Sequence, residues 1–384
     1  MNLAFTPEQE ELRARARAWL DGESIPSLPA DLDASFRMQC EWQRRLYDAG
    51  WLGLGWPEEY GGRGGTVVDQ LIFNRELAHV GAPLPAGLIG LEIVGPTILH
   101  YGDDEQKRRL VAPLLNGTEI WCQGFSEPGA GSDLASLRTR GEVRGDSIVV
   151  TGQKVWTSWA QYSRWCAVLV RTDEDAPRHK GITYLLVDLE SPGITVRPLV
   201  QMTGDAEFSE VFFEAVEVPV QNVLGGMENG WKLAMATLGF ERGPFAVRRQ
   251  IELRMALDDL AREVQRSGAA DDQIVRRRIG RCEALVETLG AQSLRTIDRI
   301  TNDGPVDESS IDKLLLTEVE QELYGLALDL LGPRRTVRET TPEGVDAARW
   351  IHGYLYSRSA SIYGGSSEIQ RGIIAQRMLE LPRA

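Results

Sequence analysis

Cysteine is scarce in this chain. The four that occur in 384 residues, Cys40, Cys122, Cys166 and Cys282, lie far apart and form no CxxC pair. That argues against a disulfide framework and a thiolate zinc site, and leaves reduced, mostly buried thiols of the kind cytosolic proteins carry. The four histidines, His79, His100, His179 and His352, show no ligand spacing either, so no metal is expected. No run of about 18 apolar residues exists, so no segment is expected to span a membrane. The opening MNLAFTPEQEELRARARAWL lacks the apolar centre of a signal peptide, and the expected location is the cytoplasm. Positive charge is in deficit: 42 Lys and Arg stand against 56 Asp and Glu, a net charge of −14. Non-specific nucleic-acid binding is therefore not expected, although a local cation cluster can still serve an anionic ligand.

What is present is ordinary globular composition, 42% hydrophobic and 26% charged. The length suggests two or three packed units. Thr6 and Pro7 read as cap and first turn of a helix over EQEELRARARAWL. EWQRRLYDAG ends a helix at Gly50, and DQLIFNRELAHVG and EQKRRLVAPLLNG are further helices with glycine stops. Near Ile120 the texture changes to short β-branched and aromatic runs separated by turn residues, such as DSIVVTGQKVWTS, SRWCAVLVRT and GITYLLVDL. No helices alternate with them, which argues against a Rossmann unit. From Gly230 long amphipathic helices return, as an antiparallel bundle would require. The expected fold class is α+β multidomain. It comprises an N-terminal α-helical domain (1–119), a middle antiparallel β-barrel or sandwich (120–228) and a C-terminal antiparallel four-helix bundle (229–384).

Two stretches carry candidate chemistry. WCQGFSEPGAGSDL places Pro128, Gly129 and Gly131 in a tight turn with hydroxyls at Ser126 and Ser132. Exposed N–H groups in such a turn can bind anionic or carbonyl oxygens, although most Gly-rich loops are turns and nothing more. TGQKVWTSWA puts Trp156 and Ser158 on a strand. They are either a core tryptophan and a surface serine or a flat aromatic wall beside a hydroxyl, suited to a planar heteroaromatic cofactor.

WPEEYGG, FSEPGAGSD, GQKVWTS and YGGSSEIQR occur together, in that order and within a helix–sheet–helix layout, over almost the whole chain. In this the chain resembles the acyl-CoA dehydrogenase family. The resemblance implies FAD held between the β domain and the C-terminal helices, oxidation of an acyl-CoA thioester to the trans-2-enoyl form, and electron delivery to an electron-transfer flavoprotein. It implies cofactor contacts at Gln123, Ser126, Ser132, Trp156, Ser158, Ser366 and Glu368, with Ser132 also reaching substrate. Tyr363 is expected to line the acyl pocket and Arg242 to lie near its substrate end, against a packed aromatic and a surface cation as the plainer readings.

The pattern breaks after Tyr363, where well-known members carry the catalytic glutamate and this chain has Gly364. In the family, the backbone N–H at that position binds the thioester oxygen, and glycine keeps it. Some branched-chain and long-chain members place the glutamate directly before an arginine on the first helix of the C-terminal domain, which implies that Glu241 is the base. The residues agree. Positions 237, 238, 244 and 245, where a helical partner would lie, hold Thr, Leu, Pro and Phe, none of them basic. An alternative is a solvated helix carboxylate.

Two other family features are missing. The R-x-x-F-G arginine that reaches a neighbouring subunit's FAD diphosphate is absent; Arg276, Arg277 or Arg278 could replace it. Asp329 stands where a diphosphate would be repelled unless Arg334 or Arg335 compensates it. These departures resemble a bacterial branch that pairs two different chains and acts on bulky steroid side-chain thioesters. The expected partners are an acyl-CoA, bulky or branched, an electron-transfer flavoprotein, and one or more further subunits in a dimer or tetramer, with a second homologous chain as one option. A non-catalytic subunit, an oxygen-using oxidase and a carrier-protein thioester stay open as alternatives.

Overall fold

The computed structural model describes residues 5–240, 242–301, 308–336 and 346–382. Five helices come first: α1 (Pro7–Asp21), α2 (Leu32–Asp48), α3 (Val67–His79), α4 (Gly95–Tyr101) and α5 (Asp104–Leu115). Their starts follow from local chemistry. Thr6 accepts from the Gln9 backbone N–H at 3.3 Å, and the Gln9 side chain accepts back from the Thr6 N–H at 2.9 Å. Asp103 and Gln106 repeat this reciprocal cap on α5, at 2.8 and 3.2 Å. Helix α2 starts earlier than EWQRRLYDAG suggests, because Asp31 caps it by accepting from the Ala34 N–H at 2.8 Å.

Seven strands follow: β1 (Trp121–Gly124), β2 (Arg140–Arg144), β3 (Ser147–Ser158), β4 (Trp165–Arg171), β5 (Ile182–Asp188), β6 (Ile194–Leu199) and β7 (Phe208–Pro219). They form one sheet in the order β1-β4-β2-β3-β7-β6, with β5 on β4. The pairing is antiparallel except that β1 and β2 each meet β4 in parallel. WCAVLVR and ITYLLVD are almost wholly buried along β4 and β5, and so read as continuous apolar runs. One set of their side chains, including Val168, Val170, Leu185 and Val187, packs with Ile148, Val211 and Phe213. The alternate set, Ala167, Leu169, Tyr184 and Leu186, packs with Leu110, Leu114 and Leu233 of the flanking helices.

The remaining helices are α6 (Gly230–Phe240), α7 (Arg242–Arg266), α8 (Gln273–Thr301), α9 (Ser309–Leu331), α10 (Ala347–Ser357) and α11 (Ser367–Ile373). Helices α7 to α10 share a core of Leu253, Leu257, Val286, Leu289, Val319, Leu323 and Trp350. The helix–sheet–helix class expected from sequence is the class observed.

The chain divides into two compact units. One comprises Met1–Glu23, Leu71–Gly81 and Arg242–Ala384; the other comprises Ser24–Gln70 and Ala82–Glu241. In the first, Arg13 and Arg17 of α1 hold Glu76 of α3 at 2.9 and 2.7 Å. In the second, α6 lies in the sheet's core, and the Thr97 and Thr237 hydroxyls share a hydrogen bond of 3.0 Å. Among the described residues no helix is long and apolar enough to cross a membrane, and no group of His, Cys, Asp and Glu could hold a metal.

Candidate active site

The candidate residues fall in both units, and each group is positioned by its own elements. In the sheet-containing unit Gln123 lies on β1, and the Gly-rich loop follows at once. Glu127 and Ala130 exchange backbone hydrogen bonds of 3.0 Å across the turn. The loop is fastened to β3 by Lys154, whose side chain is wholly buried. The Lys154 ammonium donates to the Phe125 carbonyl at 3.1 Å and to Glu127 Oε1 at 2.8 Å. Glu127 also accepts from the Arg138 and Thr139 backbone N–H groups, at 2.6 and 2.8 Å. Burial alone would raise the Glu127 carboxyl; the ammonium and the amide donors outweigh it and hold the group below the ordinary glutamate value. Burial lowers the Lys154 ammonium, and Glu127 offsets part of that. A third tie runs from the Val155 N–H to the Ser126 carbonyl at 3.0 Å.

Beyond Lys154 the strand bulges. The β3·β7 register shifts between Lys154 and Thr157, so one extra residue enters β3. Up to the bulge the even positions Ile148, Val150 and Lys154 point inward; after it Thr157 does. The bulge thus takes Trp156 off the inward face it would otherwise occupy. Trp156 adopts φ +61°, unusual for a bulky residue, and its indole is 59% exposed. Its ring meets Phe208 edge-on at 6.0 Å. Such a backbone costs on the order of 1–3 kcal/mol and persists only where its surroundings hold it. Here the Lys154–Glu127 pair holds one side and the renewed ladder, Thr157 with Ser209 and Ser158 with Phe208, holds the other.

These residues fit FAD. A flat indole is left exposed at a rigid bulge, the half-buried Ser158 lies two residues on, and the glycine turn is tied alongside. A Cβ at Gly129 or Gly131 would meet nothing within 4 Å, so the turn is open outward. That arrangement suits a planar heteroaromatic ring with an oxygen-rich tail.

In the other unit the segment after α10 carries Tyr363, Gly364, Ser366 and Glu368. Gly364 and Gly365 take φ +60° and +88°, a left-handed pair that glycine adopts without strain. Buried Gln370 donates to the Gly364 carbonyl at 2.8 Å. Among the described residues nothing accepts from the Gly364 N–H. Ser366 caps α11 by accepting from the Ile369 N–H at 3.4 Å. Glu368 is exposed in the first turn, and its own backbone N–H, then the Ser366 hydroxyl, hold its carboxyl below the ordinary value.

The Glu241 expectation lies outside the described residues, as does the side chain of Arg242, the first residue of α7. Asp329 pairs with Arg278 at 2.7 Å, α8 and α9 lying side by side. Arg276 and Arg277 are exposed. Sequence reading passed over Lys154 and Glu127, although a lysine on the inward parity of an apolar strand was a signal. It also passed over Lys313 and Thr317 of α9, which both donate to the Ala360 carbonyl, at 2.7 and 2.9 Å.

Comparison with known proteins bears on this arrangement. The family models for the N-terminal, middle and C-terminal domains of acyl-CoA dehydrogenase match residues 6–118, 122–216 and 228–379. The chain belongs to the acyl-CoA dehydrogenase family: it is an oxidoreductase that uses FAD. Among its relatives, acyl-CoA dehydrogenase IpdE1 of Mycobacterium tuberculosis is 42% identical over 97% of this chain and 98% of its own length. The ChsE4-ChsE5 complex from Mycobacterium tuberculosis contains a chain 34% identical to this one, with a TM-score of 0.86 and all of both chains covered. A steroid ACAD described as Tcur3481-Tcur3483 gives 30% identity and a TM-score of 0.88, again over all of both chains.

Proposed function

We propose that the chain converts a bulky or branched acyl-CoA to its trans-2-enoyl form, with Glu241 as the base and the Gly364 N–H as donor to the thioester oxygen. The observation that carries this reading is the Gly364 amide. It sits in a left-handed glycine pair, is bonded to nothing among the described residues, and has no carboxylate at its own position. Negative charge gathers on the thioester oxygen as the α-proton leaves, and an amide already aimed there stabilises it without rearrangement. The proton must then go to a group elsewhere. Glu241, with Leu238, Phe240 and Phe245 near it in sequence, is a carboxylate in apolar company, where the neutral form is favoured and basicity rises.

Gln123, Ser126, Ser132, Trp156 and Ser158 would hold the flavin end of FAD, and Ser366 and Glu368 its diphosphate and adenosine end. FAD, when bound, accepts the hydride that leaves Cβ. Tyr363 lines the acyl pocket, Arg242 lies at its substrate end, and an electron-transfer flavoprotein is the electron acceptor. Arg276 and Arg277 are the arginines proposed to reach a neighbouring subunit's diphosphate, since Arg278 is spent on Asp329. Relatives described as two-protein complexes or as a steroid enzyme support assembly with a second homologous chain and a wide substrate. The proposed location is the cytoplasm.

The test is anaerobic bleaching of the flavin absorbance by a panel of acyl-CoAs. Branched and polycyclic thioesters are expected to bleach it fastest. Clear preference for straight chains would overturn the substrate class, and no bleaching by any thioester would overturn the reaction.

A further inference from the structure

We infer that Lys313 is a positioning residue for the oxidation: it fixes the peptide that carries the Gly364 N–H. This rests on the reading of that N–H as the donor to the thioester oxygen.

Helix α9 presents Lys313, Thr317 and Gln321 at four-residue intervals, hence along one face. All three reach carbonyls at the end of α10 or in the segment that follows it. Lys313 Nζ donates to the Ala360 carbonyl at 2.7 Å, Thr317 Oγ1 shares its one proton between that carbonyl and the Lys313 carbonyl, both at 2.9 Å, and Gln321 donates to the Ser357 carbonyl at 3.2 Å. Ala360 lies in the turn whose Ser359 carbonyl accepts from the Ile362 and Tyr363 N–H groups, at 2.8 and 3.0 Å. Lys313 holds the far end of this turn as well: its ammonium stands 3.6 Å from the centre of the Tyr363 ring.

The peptide that matters joins Tyr363 to Gly364. It is flanked by two clamps. On one side the Tyr363 ring rests on the ammonium; on the other the Gly364 carbonyl is bound by Gln370 at 2.8 Å. Between them lies the Gly364 Cα, in a left-handed conformation and without a side chain to restrict rotation, and a second left-handed glycine, Gly365, follows the bound carbonyl. Loss of the ammonium removes the contact that holds the Tyr363 ring, while the bond from the Tyr363 N–H to the Ser359 carbonyl remains, and so loosens the aim of the Gly364 N–H. Lys313 is 9% exposed, and one cation serves a carbonyl and an aromatic face together. A neutral side chain of equal length fills the same volume but offers neither interaction. The positive charge, held in a low-dielectric setting, also favours negative charge on the oxygen that the amide binds.

The experiment measures exchange of the substrate's Cα hydrogens for deuterium in holoenzyme with a saturated acyl-CoA whose Cβ carries no hydrogen. The readout is mass, so it reports enolisation apart from electron transfer. FAD content and acyl-CoA affinity are measured on the same samples. Lys313→Met is expected to keep FAD and to bind acyl-CoA within about threefold of wild type, yet to lose exchange on the order of 100-fold, the scale of removing one oxyanion donor. Lys313→Arg, which keeps the charge, is expected to exchange faster than Lys313→Met. Thr317→Val removes one of two donors to Ala360, and the expected loss is about tenfold. Exchange within threefold of wild type in Lys313→Met would overturn the inference, as would equal losses in the Met and Arg variants. If Lys313→Met fails to fold, Thr317→Val decides by the same threshold. Glu241→Gln, measured in parallel, separates the two readings. Undiminished exchange there removes Glu241 as the base, while a loss confined to the Lys313 and Thr317 variants still supports the positioning role.

Discussion

Lys154 and Glu127 form a buried ion pair, 2.8 Å from Nζ to Oε1, that ties strand β3 to the glycine-rich loop. The same lysine precedes the bulge that turns Trp156 outward. One pair therefore connects the exposed indole with the loop proposed to bind the cofactor.

Lys154→Met leaves the Glu127 carboxylate buried without its cation. The expected cost is about 3–5 kcal/mol, measured by urea denaturation, with flavin content falling in parallel. Lys154→Met with Glu127→Gln removes both charges and is expected to regain part of the stability. If the double variant is no more stable than the single one, the loss comes from packing and not from the stranded charge.

Asp312 carries a different expectation, set by pH. It is buried on α9, and burial raises its carboxyl to about 7, with Thr296 and Gln292 only partly offsetting the effect and Glu308 adding to it. The folded value lies above the ordinary 3.8 of the unfolded chain, so the folded state binds the extra proton between the two. Stability from this group is therefore full in acid and is lost as pH rises through about 7. Asp312→Asn is expected to stabilise the protein on the order of 4 kcal/mol at pH 8 and little at pH 4. Thermal melts across that range check it; parallel curves for the two proteins would contradict it.

Gly364→Ala adds a methyl group at φ +60°, where an L-residue costs about 1–2 kcal/mol. The same methyl takes up space beside the proposed donor. Activity with wide thioesters is expected to fall at least tenfold more than activity with straight-chain ones, about 1.4 kcal/mol of discrimination. Steady-state kcat/KM on both classes checks it; equal losses would show that Gly364 is not a matter of room.

Much of this was legible in the sequence, for stated reasons. Thr6 and Pro7 announce α1 because helix capping is local chemistry. The β4 and β5 runs announce a buried sheet because both of their faces are covered. The parallel pairing of β1 with β4 was not legible, since short β-branched runs carry no sign of strand direction. Nor was the bulge at Trp156: alternation from Ile148 through Lys154 would place that indole inside, and one inserted residue reverses it. Lys154 and Lys313 were missed for a related reason. Each lies within a motif or an amphipathic helix, but the partners that give it meaning, Glu127 and the Ala360 carbonyl, are 27 and 47 residues away. Asp329 resembled a defect only because its partner Arg278 is on another helix, 51 residues earlier.

The central claim is that the base of this dehydrogenase is Glu241 and not a residue beside Tyr363. Stopped-flow measurement of flavin reduction by acyl-CoA, without oxygen, tests it most directly in Glu241→Gln. That variant is expected to bind FAD and acyl-CoA as wild type does and to reduce its flavin slower by a factor on the order of 10³ or more. Flavin reduction within a few-fold of the wild-type rate would contradict the claim.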